Sequence, residues 1–200
     1  MKTITLASKS VDRKELLQSM NLSFEVLVTN VDEESYKSRI SDPIELVKQI
    51  AKAKVLKAKE ILTEKKKDTI IIAADTIVEF NGEIIGKGKN ENEAFQILTK
   101  LEGNTHHLIT GFAIAETNRP ILIVDYDSTA VKFFNLSNDE IWGYIKTGEW
   151  KGRAGAYSIK ERAGLFVDFI KGSLNNVIGL PTHKIYQILK KDFNLNWLVF

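Results

Sequence analysis

Residues 69–76 read Thr-Ile-Ile-Ile-Ala-Ala-Asp-Thr, an unbroken apolar run that ends at a carboxylate. Such a run is typical of a strand buried on both faces, as in the centre of an α/β sheet. We therefore predict a central strand over residues 69–74 with Asp75 at its end. Ligands of α/β proteins usually lie at the carboxyl ends of the strands, so Asp75 is the strongest candidate for chemistry. A loop-capping aspartate is the competing interpretation.

Upstream of this run, strand and helix patterns alternate. Residues 3–7 and 24–28 read as strands, residues 12–20 as a helix and residues 30–42 as a polar connection. The next helix is the best marked, because Asp42, Pro43 and Glu45 form a helix-start signature ahead of an apolar pattern that runs to about Leu62.

Strand and helix patterns also alternate in the downstream half of the chain. Its predicted elements are a hairpin around Asn81-Gly82, a helix opened by Asn90, β-rich runs over residues 107–116 and 121–134, a helix opened by Ser137, a strand over residues 165–170 and a final helix from about Pro181. Strands and helices that interleave in this way predict an α/β fold with a mixed sheet flanked by helices.

Composition narrows the class of protein. The chain has 200 residues, of which 44% are hydrophobic and 27% charged, enough for one domain spanning residues 1–200. The lack of cysteine excludes disulfides, thiolate zinc sites and a cysteine nucleophile. A net charge of +2 argues against nucleic acid or a membrane surface as partner. No apolar stretch is long enough for a signal peptide or a membrane span, so we expect a cytoplasmic protein.

A polar turn follows the first predicted strand and reads Ser8-Lys9-Ser10-Val11-Asp12-Arg13. The start of a helix exposes backbone N–H groups at its positive end. Two hydroxyls and an arginine at that end predict a phosphate-binding turn. The alternative is that Ser10 only caps the helix.

Two further sets of charged residues are candidates. Asp32, Glu33 and Glu34 offer the hard oxygen ligands that Mg²⁺ or Mn²⁺ prefers, although a solvated acidic loop is the simpler reading. The second set consists of cations suited to neutralising phosphate oxygens, each of which taken alone is more often a surface residue. Its members are Lys54, Lys87, Arg153 and Lys160. His107 and His183 read as packing or surface residues.

Taken together, these segments resemble the Maf family of nucleotide pyrophosphatases. The matching segments occur in family order and span nearly the whole chain. They are residues 6–10, 13–17, 31–33, 51–54, 74–78, 85–87, 101–103 with His106, 154–157 and 179–181.

The resemblance implies a fold like that of inosine triphosphate pyrophosphatases, with a long twisted mixed sheet flanked by helices and a cleft between two lobes. It also implies hydrolysis between the α and β phosphates of a nucleoside triphosphate with a divalent metal, Mg²⁺ or Mn²⁺. Asp75 matches the catalytic proton acceptor, Glu33 a metal or water-positioning carboxylate, and Thr76 a residue at the base-recognition end. We further hypothesise that Asp75 and Glu33 together hold the metal. The implied phosphate binders are Ser8, Ser10, Arg13, Lys54 and Lys87.

Two departures from the family pattern affect the expectations. The family usually has Ser-Pro-Arg-Arg where this chain has Ser10-Val11-Asp12-Arg13, so Asp12 replaces a cation. In the later loop Lys160 replaces a neutral amide that helps to read the substrate in the pyrimidine-specific branch. One hypothesis is that Lys160 restores the charge lost at Asp12. The resemblance therefore supports the type of reaction more strongly than it supports a preference for a particular base.

Other functions remain open at this point. A protein on the same scaffold that binds nucleotide or a protein partner in cell-division control, with little or no turnover, is the main alternative. A protein that binds single-stranded nucleic acid would have a stripe of basic residues with interleaved aromatic residues. The near-neutral net charge of this chain argues against that function. The apolar ending, residues 196–200, indicates a docked tail or a homodimer contact.

Overall fold

A computed structural model describes residues 2–199 and shows a mixed α/β architecture. The strands are β1 (Thr3–Leu6), β2 (Glu25–Val26), β3 (Thr69–Phe80), β4 (Glu83–Ile85), β5 (Thr105–Glu116), β6 (Leu122–Phe133) and β7 (Val167–Lys171). The helices are α1 (Val11–Ser19), α2 (Glu33–Lys37), α3 (Pro43–Glu64), α4 (Glu91–Leu101), α5 (Asn138–Ile145), α6 (Leu174–Ile178) and α7 (Thr182–Asp192). A 3₁₀ turn covers Arg162–Phe166.

The strands within residues 2–199 form one sheet in the order β2-β1-β3-β5-β6-β7, with β4 paired to β3. Strand β1 runs parallel to both β2 and β3, whereas the β3–β4 and β6–β7 pairs are antiparallel. The prediction of an α/β fold with a mixed sheet is therefore confirmed.

The chain divides into two compact units. The first comprises the described residues up to Asp75, Thr110–Asp127 and those from Gly179 onward; the second comprises Thr76–Ile109 and Ser128–Ile178. Strands β3, β5 and β6 each contribute residues to both units. The single domain over residues 1–200 and the cleft between lobes stay predictions.

In the first unit, the long helix α3 packs on the sheet through small and aliphatic side chains. Gly111 in β5 permits this close approach, because a Cβ there would lie 2.4 Å from the carbonyl carbon of Val47. The buried cluster consists of Ala7, Ala51, Val55, Ala58, Leu62, Ile71, Ala73, Ala113 and Ala115. This packing fixes the helix that carries Lys54.

The second unit has an aromatic core. Phe133 makes edge contacts with His106, Tyr157 and Phe166, at centroid distances of 4.7 to 4.9 Å. Tyr144 packs against Phe166 in the same geometry. Such edge-to-face pairs add to the free energy gained from burying the rings.

The helix starts were predicted well. Ser10, Asp42, Asn90 and Ser137 each accept a hydrogen bond from the backbone N–H three residues on. Ser137 and Glu140 also complete the reciprocal half of the capping box.

Three predictions about elements were wrong. The hairpin around Asn81-Gly82 is confirmed, since the last three residues of β3 pair with β4, but the strand does not end at Asp75 and instead runs unbroken from Thr69 to Phe80. The connection over residues 30–42 contains the short helix α2, which Asp32 caps. The strand predicted from residue 165 begins only at Val167, after a 3₁₀ turn, and helix α6 was not predicted.

The apolar ending leaves Leu198 and Val199 exposed. Phe200, which belongs to the same predicted contact, lies outside the described residues. A homodimer stays a prediction.

Candidate active site

The turn between β1 and α1 is organised by its hydroxyls. The buried Ser8 Oγ accepts hydrogen bonds from the backbone N–H of Ser10, at 3.2 Å, and from Nη1 of Arg13, at 3.2 Å. Ser10 Oγ accepts from the backbone N–H of Arg13, at 3.4 Å, so Ser10 does cap helix α1. Capping does not exclude phosphate binding, because the Ser10 side chain takes up only one of the N–H groups at the start of the helix.

Arg13 is a buried cation held at two points. Its side chain donates from Nε to the carbonyl oxygen of Gly179, at 2.6 Å, in addition to the bond to Ser8. Burial lowers the pKa of Arg13, while the nearby carboxylates of Asp75 and Glu33 raise it. Arginine keeps its charge under any such shift, so this turn presents a fixed positive charge near both carboxylates.

Lys54 connects the two carboxylates. Its Nζ lies 2.8 Å from Oδ1 of Asp75, 2.8 Å from Oε1 of Glu33 and 3.4 Å from the carbonyl oxygen of Ala74. An ammonium group has three donors, and each meets an acceptor here. Lys54 and Asp75 are both buried, and burial of charged groups requires such pairing.

Of the three adjacent acidic residues, only Glu33 reaches this cluster. Asp32 caps α2, and Glu34 pairs with Lys37 on the exposed face of the helix. Partial burial alone would raise the pKa of Glu33, but the charge and hydrogen bond of the Lys54 ammonium group, together with the charges of two further lysines, outweigh burial and lower it. Glu33 is therefore a carboxylate at neutral pH.

The donor set can be compared with the needs of a divalent cation. Glu33 and Asp75 supply hard carboxylate oxygens, as Mg²⁺ and Mn²⁺ prefer. Among residues 2–199, no group of three or more His, Cys, Asp or Glu side chains forms a metal cage. Two carboxylates fit a Mg²⁺ ion that is otherwise bound by water and substrate phosphates.

The remaining candidates belong to the second unit. Lys87 forms an antiparallel bridge with Ala154, which brings Lys87 and Arg153 to neighbouring positions. Thr76 follows Asp75 in β3 and is partly buried. Lys160 is exposed and lies in the turn that Glu161 closes by donating its N–H to the carbonyl oxygen of Ser158, at 3.1 Å.

Three residues of the site and its surroundings make contacts that were not predicted from the sequence. The carbonyl oxygen of Gly179 anchors Arg13, and His106 forms a buried pair with Tyr157. All three fall in segments that match the family, but nothing in their residue types indicates these contacts. Gly179 has a φ of +113°, a conformation that favours glycine.

The first unit of this α/β protein thus carries a lysine that bridges two carboxylates, and a helix start with two hydroxyls and a buried arginine lies within range of their charge. A family model described as Maf-like protein matches residues 3–192, and the chain belongs to this family. Among the described residues, no helix is long and apolar enough to span a membrane.

Curated relatives match over almost the whole chain. A protein of Alkaliphilus oremlandii named dTTP/UTP pyrophosphatase is 43% identical over 99% of this chain and 100% of its own length. A protein of the same name from Caldanaerobacter subterraneus is 40% identical, over 98% of this chain and 91% of its own.

Solved structures show weaker likeness. A HAM1 protein from Coxiella burnetii matches with a TM-score of 0.39 and 13% identity, over 66% of this chain and 73% of that one. A dITP/XTP pyrophosphatase from Mycobacterium abscessus matches with a TM-score of 0.36 and 12% identity, over 66% and 72%. The fold description therefore rests on the strands and helices of this chain.

Proposed function

We propose that the protein is a nucleoside triphosphate pyrophosphatase that hydrolyses the α–β phosphate bond of pyrimidine nucleotides, giving a nucleoside monophosphate and pyrophosphate. The observation that carries the proposal is the contact of Lys54 with both Asp75 and Glu33, near Arg13. The names of relatives about 40% identical support the same reaction, and they do not favour a purely regulatory protein.

In this proposal the turn from Ser8 to Arg13 binds the phosphate chain. Its Arg13 is held by Ser8 and Gly179, so the positive charge is in position before substrate arrives. Charge that needs no rearrangement during the reaction is the most effective stabiliser of a charged transition state. Lys87 and Arg153 offset charge on the leaving pyrophosphate.

Asp75 accepts the proton in the proposed reaction. Oxygen of a water molecule forms a bond to the α phosphorus, the bond from that phosphorus to the α–β bridging oxygen breaks, and pyrophosphate leaves. The proton of the water passes to the Asp75 carboxylate. Lys54 orients Asp75 for this role, because its Nζ lies 2.8 Å from Oδ1 of that carboxylate.

Glu33 and Asp75 would also hold the proposed divalent metal, Mg²⁺ or Mn²⁺. When bound, such an ion neutralises phosphate charge and lowers the pKa of its bound water. The proposal needs no metal before substrate arrives, because Lys54 already balances part of the charge on both carboxylates.

Thr76 and Lys160 are the proposed contacts to the base end of the substrate. The relatives' names include dTTP and UTP, which supports a pyrimidine preference here. Lys160 is the departure from the family pattern that bears on this preference. We propose a cytoplasmic location, which suits a chain without cysteine.

The proposal is tested with a panel of dTTP, UTP, CTP, dATP, GTP and dITP, each incubated with Mg²⁺, Mn²⁺ or EDTA. We expect equal amounts of pyrophosphate and nucleoside monophosphate, fastest with dTTP and UTP and abolished by EDTA. Release of inorganic phosphate with a nucleoside diphosphate would contradict the bond assignment. Nucleotide binding without product would favour the regulatory alternative.

A further inference from the structure

His106 is a buried histidine outside the phosphate-binding turn. Its ring is completely inaccessible, and its Nε2 lies 2.9 Å from the hydroxyl oxygen of Tyr157. Its Nδ1 is buried and has no hydrogen-bond partner in the described part of the chain. A buried polar atom without a partner costs free energy, so its retention requires an explanation in the contact that the ring does make.

Tyr157 belongs to a strained segment, residues 153–158. Gly155 and Ala156 both have positive φ values, +70° and +57°. This conformation is unfavourable for alanine, and it persists only where surrounding contacts hold it. Those contacts include a bond from the N–H of Gly155 to the carbonyl oxygen of Gly86, at 3.1 Å, and one from the N–H of Ser158 to the hydroxyl of Tyr144, at 3.2 Å.

The strained segment is joined to Lys87. Ala154 forms the antiparallel bridge with Lys87, and the bond from Gly155 to Gly86 extends this pairing by one residue. The place of the Lys87 backbone is therefore coupled to the left-handed conformation at Gly155 and Ala156. That conformation is anchored at its far end by the Tyr157 side chain, which His106 holds.

We infer that His106 and Tyr157 are positioning residues, whose hydrogen bond keeps residues 153–158 in the strained conformation that places Lys87 and Arg153 for substrate. The inference rests on the proposed function for the role of these two cations. Neither His106 nor Tyr157 is required to touch substrate.

Both partners are neutral at physiological pH. Burial lowers the pKa of His106 to about 4, and burial raises the pKa of Tyr157 well above its usual range. The contact is thus a bond between two uncharged groups, unchanged between about pH 5 and 10. Loss of this bond should alter rates without moving the pH profile of the reaction.

Three variants remove or restore the contact. Tyr157→Phe deletes only the hydroxyl, and His106→Leu deletes the ring nitrogens. Each should lower kcat/KM about tenfold, the scale expected when a buried polar partner is lost. His106→Gln puts an amide near the place of Nε2 and should recover most of the activity. Tyr186→Phe is the matched control, because it removes a phenol hydroxyl that donates to Asn196, and it should leave kcat/KM unchanged.

A double variant separates positioning from simple loss of stability. If His106 and Tyr157 act through Lys87 and Arg153, Tyr157→Phe should reduce kcat/KM less than twofold in a background in which both cations are replaced by alanine. An undiminished tenfold loss in that background would overturn the inference.

Hydrogen exchange gives a readout that is independent of activity. The Gly155 amide should exchange at least tenfold faster in Tyr157→Phe than in the unmodified protein, with no change at amides of helix α3. Equal exchange at Gly155 would overturn the inference. A failure of the proposed function is distinguishable, because the unmodified protein would then release no pyrophosphate while this exchange difference persists.

Discussion

The ammonium nitrogen of Lys54 lies 2.8 Å from the carboxylate of Asp75, although one residue is on a helix and the other within a central strand. This pairing explains how a carboxylate is accommodated in a strand whose neighbouring side chains are almost all buried. A buried charge without a partner would cost several kcal/mol, whereas the pair satisfies both groups. In the proposed reaction, the same contact orients the carboxylate that accepts the proton.

The geometry of Arg13 predicts that a cation of different shape will not replace it. Arg13→Lys keeps the charge but replaces two donor nitrogens, Nε and Nη1, by a single nitrogen at the end of a flexible chain, so we expect it to lose the bond to Ser8 or the bond to Gly179. We expect a KM about tenfold higher in steady-state kinetics. Arg39→Lys, at an exposed arginine of the same unit, is the control and should leave KM unchanged. Equal KM values for both variants would show that the double anchor is unimportant.

The contact between α3 and β5 predicts an unequal response to two glycine substitutions. Gly111→Ala should destabilise the protein by about 1–3 kcal/mol, because its Cβ would overlap the Val47 backbone. Gly143→Ala has open space in helix α5 and should stabilise by up to about 1 kcal/mol. Urea unfolding at pH 7.5 measures both. If Gly111→Ala left the unfolding free energy unchanged, helix α3 would have to move away from β5 without loss of stability, contrary to this prediction.

The low pKa of His106 predicts a loss of stability in acid. Above pH 6.5 the histidine is neutral in both folded and unfolded states. As the pH falls below 6.5 the unfolded chain binds a proton that the buried ring, with a pKa of about 4, does not. The unfolding free energy should therefore fall by about 2 kcal/mol between pH 7.5 and pH 5. The His106→Gln variant has no titrating group at this position, so its urea midpoint should change less over the same pH interval.

The direction of attack predicts where oxygen from water is found in the products. Hydrolysis of dTTP in ¹⁸O-labelled water should place the label in the nucleoside monophosphate, because the new bond forms at the α phosphorus. Attack at the β phosphorus gives the same two products but labels pyrophosphate. Mass spectrometry of both products distinguishes the two routes.

Local patterns in the sequence predicted much of the fold. Helix caps depend on residues three apart, and buried strands on continuous apolar runs, so both are visible in the chain itself. The continuity of β3 through Asp75 was not visible, since a carboxylate in a buried strand depends on Lys54, 21 positions away. The short helix α2 was hidden by its polar composition.

The grouping of five candidate site residues could also be predicted from the sequence. The resemblance to the family singled out five residues of the first unit: Ser8, Arg13, Glu33, Lys54 and Asp75. In the structure these five are linked by direct contacts or by the effect of one charge on another. The anchoring of Arg13 by a glycine carbonyl and the pairing of His106 with Tyr157 were not predicted. Both arise from residues distant in the chain whose side-chain types carry no signal for the contact.

The central claim is that the Asp75 carboxylate takes part in hydrolysis, and its most direct test is the turnover number of Asp75→Asn. The amide oxygen can still accept a bond from Lys54, so folding should be nearly intact. We expect kcat for dTTP to fall about 100-fold or more, as for loss of an acid–base group. Asp127→Asn, at a carboxylate of similar burial paired with Lys184, is the control and should retain full turnover. Near-normal turnover in Asp75→Asn would contradict the account.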